Sequence, residues 1–220
     1  MLRLLIVSLF ALINPVRAAD TAMCRNGIFP SQETTFGLAM VIGAPRTYLR
    51  SDIPPCPDDS AACRGRAYVL PRDTVITSVA SDRYVCAFFA RPGGGSAGYV
   101  RRDEIAPQPA PANLPLAAWL GTWRDGDNSI ALSGGGGKLM AKGEAYWPSA
   151  YPSAKSRPGG PNIGDMGGTA APTGNTVVFA GDTPDECRVV LTLLPPFLLA
   201  ADNMKCGGMN VSFSGVYRKR

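Results

Sequence analysis

Six cysteines, Cys24, Cys56, Cys63, Cys86, Cys187 and Cys206, follow an apolar N-terminal segment in a chain of 220 residues that contains no histidine. An even number of cysteines behind an export-type leader points to disulfides made in an oxidising compartment. Each bridge then holds two distant stretches of chain within bonding distance, which limits the possible folds. The missing histidines remove the commonest general base and a frequent metal ligand. No Cys-x-x-Cys pair is present either, so no metal site and no cofactor is expected.

Residues 1–18 carry the three parts of a signal peptide: Arg3, the apolar run from Leu4 to Ile13, and the cleavage-like Val16-Arg17-Ala18. The apolar run is too short to cross a bilayer. No cysteine stands at the cleavage point, so a lipid anchor is not expected. The mature chain is expected to be periplasmic or secreted, without stable insertion into a membrane. Loss of the leader leaves 20 basic residues against 17 acidic, a net of +3, spread evenly over both halves. The longest basic run is Arg218-Lys219-Arg220. Nucleic-acid binding needs a concentrated basic face, so it is not expected.

The stretch 107–113 is uncharged and contains Pro107, Pro109 and Pro111. Proline fixes φ and lacks an amide donor, so this reads as a semi-rigid linker between a domain at 19–106 and another at 114–220. A long loop within one domain is the alternative. Four cysteines precede the linker and two follow it, so each half can close its own bridges. Cys56 and Cys63 frame a short polar loop and are expected to pair, which leaves Cys24 for Cys86. Four cysteines allow three connectivities, so this is a preference. Cys187 and Cys206 are the pair offered by the second half.

Short apolar and β-branched runs punctuated by Gly, Pro and Asp predict strands at residues 67–70, 74–77, 84–89 and 98–100. Residues 33–42 suggest one short helix. The series Tyr68-Val69-Leu70-Pro71-Arg72-Asp73-Thr74-Val75, Tyr84-Val85-Cys86-Ala87-Phe88 and Gly98-Tyr99-Val100-Arg101-Arg102-Asp103-Glu104-Ile105 resembles the bacterial SH3-like (SH3b) domain. The resemblance covers about residues 46–106. Arg72 stands where that family usually has glycine, and Tyr99 where it usually has tryptophan. Members mostly serve as targeting or ligand-binding modules in the cell envelope, and the resemblance implies such a role here.

In the second half, strands are predicted at 129–132, 138–147, 175–180, 187–194, 197–201 and 210–217, with no helix. Gly- and Pro-rich turns join them, which argues for an antiparallel barrel or sandwich. The whole chain is therefore expected to be mainly β, a small SH3-like barrel followed by a barrel or sandwich. Gly121-Thr122-Trp123 at the start and Arg218 at the end resemble the lipocalin-like (calycin) arrangement, which implies an arginine lying over the Trp123 ring. The segment from Asp202 to Arg218 resembles the closing segment of a family of uncharacterised exported bacterial proteins.

Residues 148–173 carry many prolines and glycines and read as a long loop. Tyr146, Trp147 and Tyr151 at its root, with Arg157 and Asn162 along it, form a candidate ligand-binding surface suited to a sugar or a peptide. Histidine-dependent catalytic triads and common catalytic zinc sites are excluded. Asp125, Asp127 and Glu144 are close enough in sequence to keep carboxylate chemistry in view, although Asp125-Gly126-Asp127-Asn128 reads first as a turn. The glycine run Ser133–Gly137 before Lys138 is not followed by Ser or Thr, so it reads as a hairpin tip rather than a phosphate loop. The expected function is a non-enzymatic binding protein for a cell-wall, glycan or protein ligand of the envelope. The alternative is an inhibitor of a lysozyme-type hydrolase, because residues 133–144 resemble the inhibitory loop of membrane-associated lysozyme inhibitors.

Overall fold

The computed structural model describes residues 23–30, 35–43, 45–109, 111, 114–148 and 161–220. The leader, Tyr151 and Arg157 lie outside the described residues. The first half forms β1 (Gly37–Val41), β2 (Thr47–Arg50), β3 (Arg64–Val69), β4 (Thr74–Ala80), β5 (Tyr84–Arg91), β6 (Gly94–Arg101) and β7 (Ile105–Gln108). They make one antiparallel sheet in the order β3-β2-β6-β5-β4-β1-β7, with 3-10 turns at Ala61–Cys63 before β3 and at Arg102–Glu104 before β7. Its apolar side gathers Ala39, Val41, Leu49, Val69, Val75, Val85, Val100 and Ile105.

Residues 37–41 correct the helix suggested for 33–42. They are a strand paired to β4 on one side and β7 on the other. Ala39 and Val41 are buried while Met40 between them is exposed. That period of two suits a half-buried strand, and ladder hydrogen bonds on both edges outweigh a weak local helical tendency.

The turn from β3 into β4 holds Arg72 at φ 77°. Leu70 N donates to Asp73 Oδ2 at 2.8 Å, and Asp73 N returns a bond to Leu70 O at 3.0 Å. A left-handed conformation costs a residue with a Cβ about 1–2 kcal/mol, of which glycine's extra unfolded-state freedom cancels part. Arg72→Gly is therefore expected to raise stability by about 0.5–1 kcal/mol. Urea denaturation checks this, and an unchanged or lower midpoint contradicts it.

The second half begins with α1 (Leu116–Trp119), then β8 (Gly121–Asp125), β9 (Asn128–Gly135), β10 (Lys138–Trp147), β11 (Asn162–Ala170), β12 (Thr176–Ala180), β13 (Arg188–Leu194), β14 (Phe197–Asp202) and β15 (Gly215–Lys219). The strands run up and down in chain order. β15 returns to β8 through the pairs Arg218↔Arg124 and Lys219↔Trp123. The result is a nearly closed barrel whose one seam lies between β11 and β12. Its interior is packed: Trp119, Ile130, Leu139, Leu191, Leu198, Phe213 and Tyr217 are fully buried inside it.

Four details differ from the sequence reading. A short helix does occur, and it seats Trp119 in the core. Residues 162–170, expected in a loop, form β11, paired along its whole length with β10. The strand expected at 210–217 is confined to β15 from Gly215. Val211 and Phe213 are buried and alternate with the half-buried Ser212 and Ser214 as the sequence suggests, but Asp202 holds this stretch in place of a ladder. Its carboxylate accepts from Phe213 N at 2.8 Å, Ser212 Oγ at 2.8 Å and Ser214 Oγ at 3.0 Å. Finally, Lys219 rather than Arg218 lies over the Trp123 ring, 5.1 Å from its centre, and Arg218 lies over Phe197 at 4.8 Å. Consecutive strand residues face opposite sides, so only one of the two can reach the barrel floor.

All three disulfides form, as Cys24–Cys86, Cys56–Cys63 and Cys187–Cys206. They suit an oxidising environment, and no described helix is long and apolar enough to cross a membrane. The two sheets share a further apolar cluster. Leu194, Phe197 and Leu199 of the barrel's outer side pack with Phe36 and Ile76 of the first half. β14 is thus buried on both faces along its length, which accounts for an unbroken apolar strand where a one-sided strand alternates.

Candidate functional site

Tyr146 and Trp147 end β10, where the strand has run past the packed core. Tyr146 is 40 % exposed and Trp147 48 %. Tyr146 N donates to Asn128 Oδ1 at 2.9 Å, and Asn128 Nδ2 donates to Ser212 O at 2.9 Å. One amide side chain thereby clips the end of β10 to the 210–214 crossing and fixes the backbone that carries both rings. Asn162 is the ladder partner of Trp147, and its Nδ2 donates to Met209 O at 2.7 Å. The structure thus brings Asn162 beside the aromatic pair, with its amide N–H already engaged.

A surface pocket of about 640 Å³ opens beside Tyr146, lined also by Asp127, Glu144, Ile163 and Asp165. Glu144 and Asp165 are direct cross-strand partners, an arrangement in which like charges repel. Lys142 Nζ approaches Glu144 Oε1 at 3.9 Å. Asp127 and Tyr146 also line the adjoining hollow of about 490 Å³, which Phe29, Trp147, Met204 and Ser212 complete. The two hollows meet at Asp127 and Tyr146 in one groove along the barrel rim, with Glu144 and Asp165 on one part and Asp125 and Trp147 on the other. Asp165, one of the polar residues of the 148–173 stretch that the sequence suggests as a rim, belongs to this constellation. Its position across from Glu144 follows from the β10–β11 register alone.

Asp125 does not share the Glu144 pocket. It lies in the hollow beside Trp147 and in the cleft between the two sheets. Burial raises its carboxyl above the ordinary aspartate value, and the bond from Val216 N, at 3.1 Å, opposes that shift only in part. A Cβ at position 215 would fall 2.1 Å from Asp125 Oδ2, so Gly215 is what lets the carboxylate approach the chain there. Beneath it, burial together with the Asp125 charge pushes the Tyr217 hydroxyl far above its usual range, and that hydroxyl donates to Phe213 O at 2.8 Å.

The N-terminal arm completes the groove. The Cys24–Cys86 bridge ties it to β5, Cys24 N and Arg25 Nε both donate to Asp52 Oδ2 at 2.8 Å, and Ala97 N donates to Asn26 Oδ1 at 2.6 Å. Burial would raise the Asp52 carboxyl, but the Arg25 and Cys24 bonds outweigh it and hold the group below its ordinary value. Thus anchored, the arm places Phe29 against Phe88, stacked at 5.0 Å. Among the described residues, no group of three or more His, Cys, Asp or Glu side chains is arranged to hold a metal ion.

Compared with known proteins, the chain matches no protein-family model, no curated protein and no solved structure.

Proposed function

We propose that this protein is an exported, non-enzymatic binding protein of the cell envelope or the secreted fraction. In this reading an SH3-like first module braces a calycin-like barrel, whose rim groove takes a glycan or protein ligand. The observation that carries it is the pair of half-exposed rings, Tyr146 and Trp147, held on a clipped strand end beside carboxylate and amide groups. Aromatic faces flanked by fixed polar groups are a common build for binding sites. The barrel interior is filled, so the ligand surface is external. Glu144 is 73 % exposed on its side chain and lacks the burial that tunes a carboxyl into a general acid, which favours binding over catalysis.

Trp147→Ala is expected to weaken binding to solubilised cell-wall fragments about tenfold or more, the loss typical of an aromatic anchor. Tyr146→Phe should act less strongly, because it keeps the ring. Isothermal titration with the purified chain measures both. Absence of retention on cell wall, glycans and envelope proteins alike would sink the reading.

One observation favours a second reading. Asp127, Glu144 and Asp165 make the rim locally acidic although the chain as a whole is basic, and a basic hydrolase of the lysozyme type is the complementary partner. A lysozyme assay with added protein decides between the two. Inhibition relieved by Glu144→Lys supports the inhibitor, and undiminished lysis rejects it.

A further inference from the structure

Adjoining the rim groove at Phe29 and Asp125, three arginines that are far apart in sequence line one cleft between the sheets. Arg91 comes from the end of β5, Arg124 from β8 and Arg218 from β15. The cleft measures about 420 Å³, and the stacked rings of Phe29 and Phe88 line it with them. Among the described residues Asp125 is the one carboxylate on its wall, and it accepts its hydrogen bond from Val216 N. Arg124 and Arg218 are direct ladder partners, a pairing of like charges that weakens a sheet. None of the three makes an ion pair among the described residues. Arg91 instead donates to Ser96 Oγ at 3.1 Å, and Arg218 donates to Ala90 O at 3.2 Å. Arg218 is further held by its contact with Phe197. Arg91 and Arg218 are thus held in place, and none of the three guanidinium charges is paired with a carboxylate among the described residues.

Arg91 also borders a second hollow, of about 580 Å³, with Arg66, Tyr68 and Leu70. Tyr68 is 41 % exposed, and the Arg46 guanidinium lies 4.7 Å over its ring. The two hollows meet at Arg91, so the cationic surface is elongated. Guanidinium groups match the planar, two-pronged geometry of carboxylate and phosphate oxygens. Phe29 and Phe88 cover each other's faces, so the ring open to the apolar face of a sugar is Tyr68. We propose that this intermodular cleft is a second binding site, for the carboxylate or phosphate groups of an anionic glycan. It goes beyond the rim groove, with which it shares Phe29 and Asp125 but none of the three arginines.

The test is titration of the full mature chain with hexagalacturonate, with phosphorylated maltohexaose and with neutral maltohexaose, at low and at moderate salt. The expected result is saturable binding of one or both charged sugars, weakening as salt rises, with the stronger of the two identifying the anion. Arg124→Glu, at an exposed position without side-chain partners among the described residues, should weaken that binding at least tenfold. Arg124→Lys should stay within a few-fold, and Lys138→Glu, an equal charge change at a distant hairpin tip, should leave it unchanged. Thermal melting confirms that each variant is folded. Neutral maltohexaose binding as tightly as the charged sugars overturns the proposal, as does an equal loss in Lys138→Glu. Binding of neither charged sugar, or tighter Arg124-dependent binding of a single-stranded oligonucleotide, overturns it too.

Discussion

Removing the Cys24–Cys86 bridge by a double Cys→Ala substitution is expected to cost about 4 kcal/mol, the steepest loss among the three disulfides. The bridge spans a sequence separation of 62, against 19 for Cys187–Cys206 and 7 for Cys56–Cys63. In the chain-entropy account, a cross-link stabilises by restricting the unfolded chain and grows with the logarithm of the loop, so the other two should cost about 3 and about 2.5 kcal/mol. The first bridge also has native-state consequences that the formula omits. Without it the arm loses its anchor on β5, Asp52 is left buried with weakened partners, and Phe29 no longer has a fixed place on Phe88. Phe29 lines both the rim groove and the arginine cleft. Ligand binding at either surface should therefore fall in this variant well below its melting temperature, while Cys56→Ala/Cys63→Ala leaves binding intact. Denaturant titration of the three double variants gives the order. Equal losses for all three, or an unaffected Cys24/Cys86 variant, would contradict it.

How far the sequence disclosed this depends on whether the information was local. Parity around the proline stretch was enough to pair Cys187 with Cys206, whereas the four earlier cysteines left three connectivities open, of which the preferred one is observed; Gly/Pro punctuation was enough to place most strands. β11 escaped notice because its glycines lower strand propensity. They serve the tertiary structure: a Cβ at Gly164 would fall 2.2 Å from Cys206 O, so the strand needs bare backbone where the 203–214 crossing passes over it. The apolar series from Val189 through Leu194, interrupted by Thr192, and on to Phe197–Ala201 was read only as two strands, and β14 proves to be buried on both faces. That burial means the barrel is covered by something, and the first half supplies the cover through Phe36 and Ile76. Of the aromatic site, Tyr146 and Trp147 were legible from their place before a Gly/Pro-rich stretch. The pairing of Glu144 with Asp165 and the gathering of Arg91, Arg124 and Arg218 were not. Each rests on strand register between segments far apart in the chain, and an even distribution of charge along a sequence leaves open how folding collects it.

Trp119→Ala is the second substitution expected to be severe, with a loss of about 3–5 kcal/mol. α1 has only four residues and no side-chain cap, too short to be stable by itself. Its position therefore comes from what Trp119 buries and from two carbonyls it presents. Trp119 O accepts from Trp123 Nε1 at 2.8 Å, and Ala118 O accepts from Lys219 Nζ at 3.2 Å, while the Lys219 ammonium lies over the Trp123 ring. Truncation at position 119 empties the barrel end and lets the helix drift, so both hydrogen bonds weaken with it. Trp119→Phe separates these effects. The Trp119 indole N–H has no hydrogen-bond partner among the described residues, so phenylalanine removes a buried donor that gains nothing in the fold and keeps most of the packed volume. Its expected cost is below about 2 kcal/mol. Lys219→Met, which retains the apolar stem but not the charge, should cost about 1 kcal/mol by losing the bond to Ala118 and the ring contact. Calorimetric melting of the three variants tests the ranking. If Trp119→Phe proved as damaging as Trp119→Ala, the indole N–H would have to be satisfied in solution, and the barrel floor would be held by that bond rather than by packing.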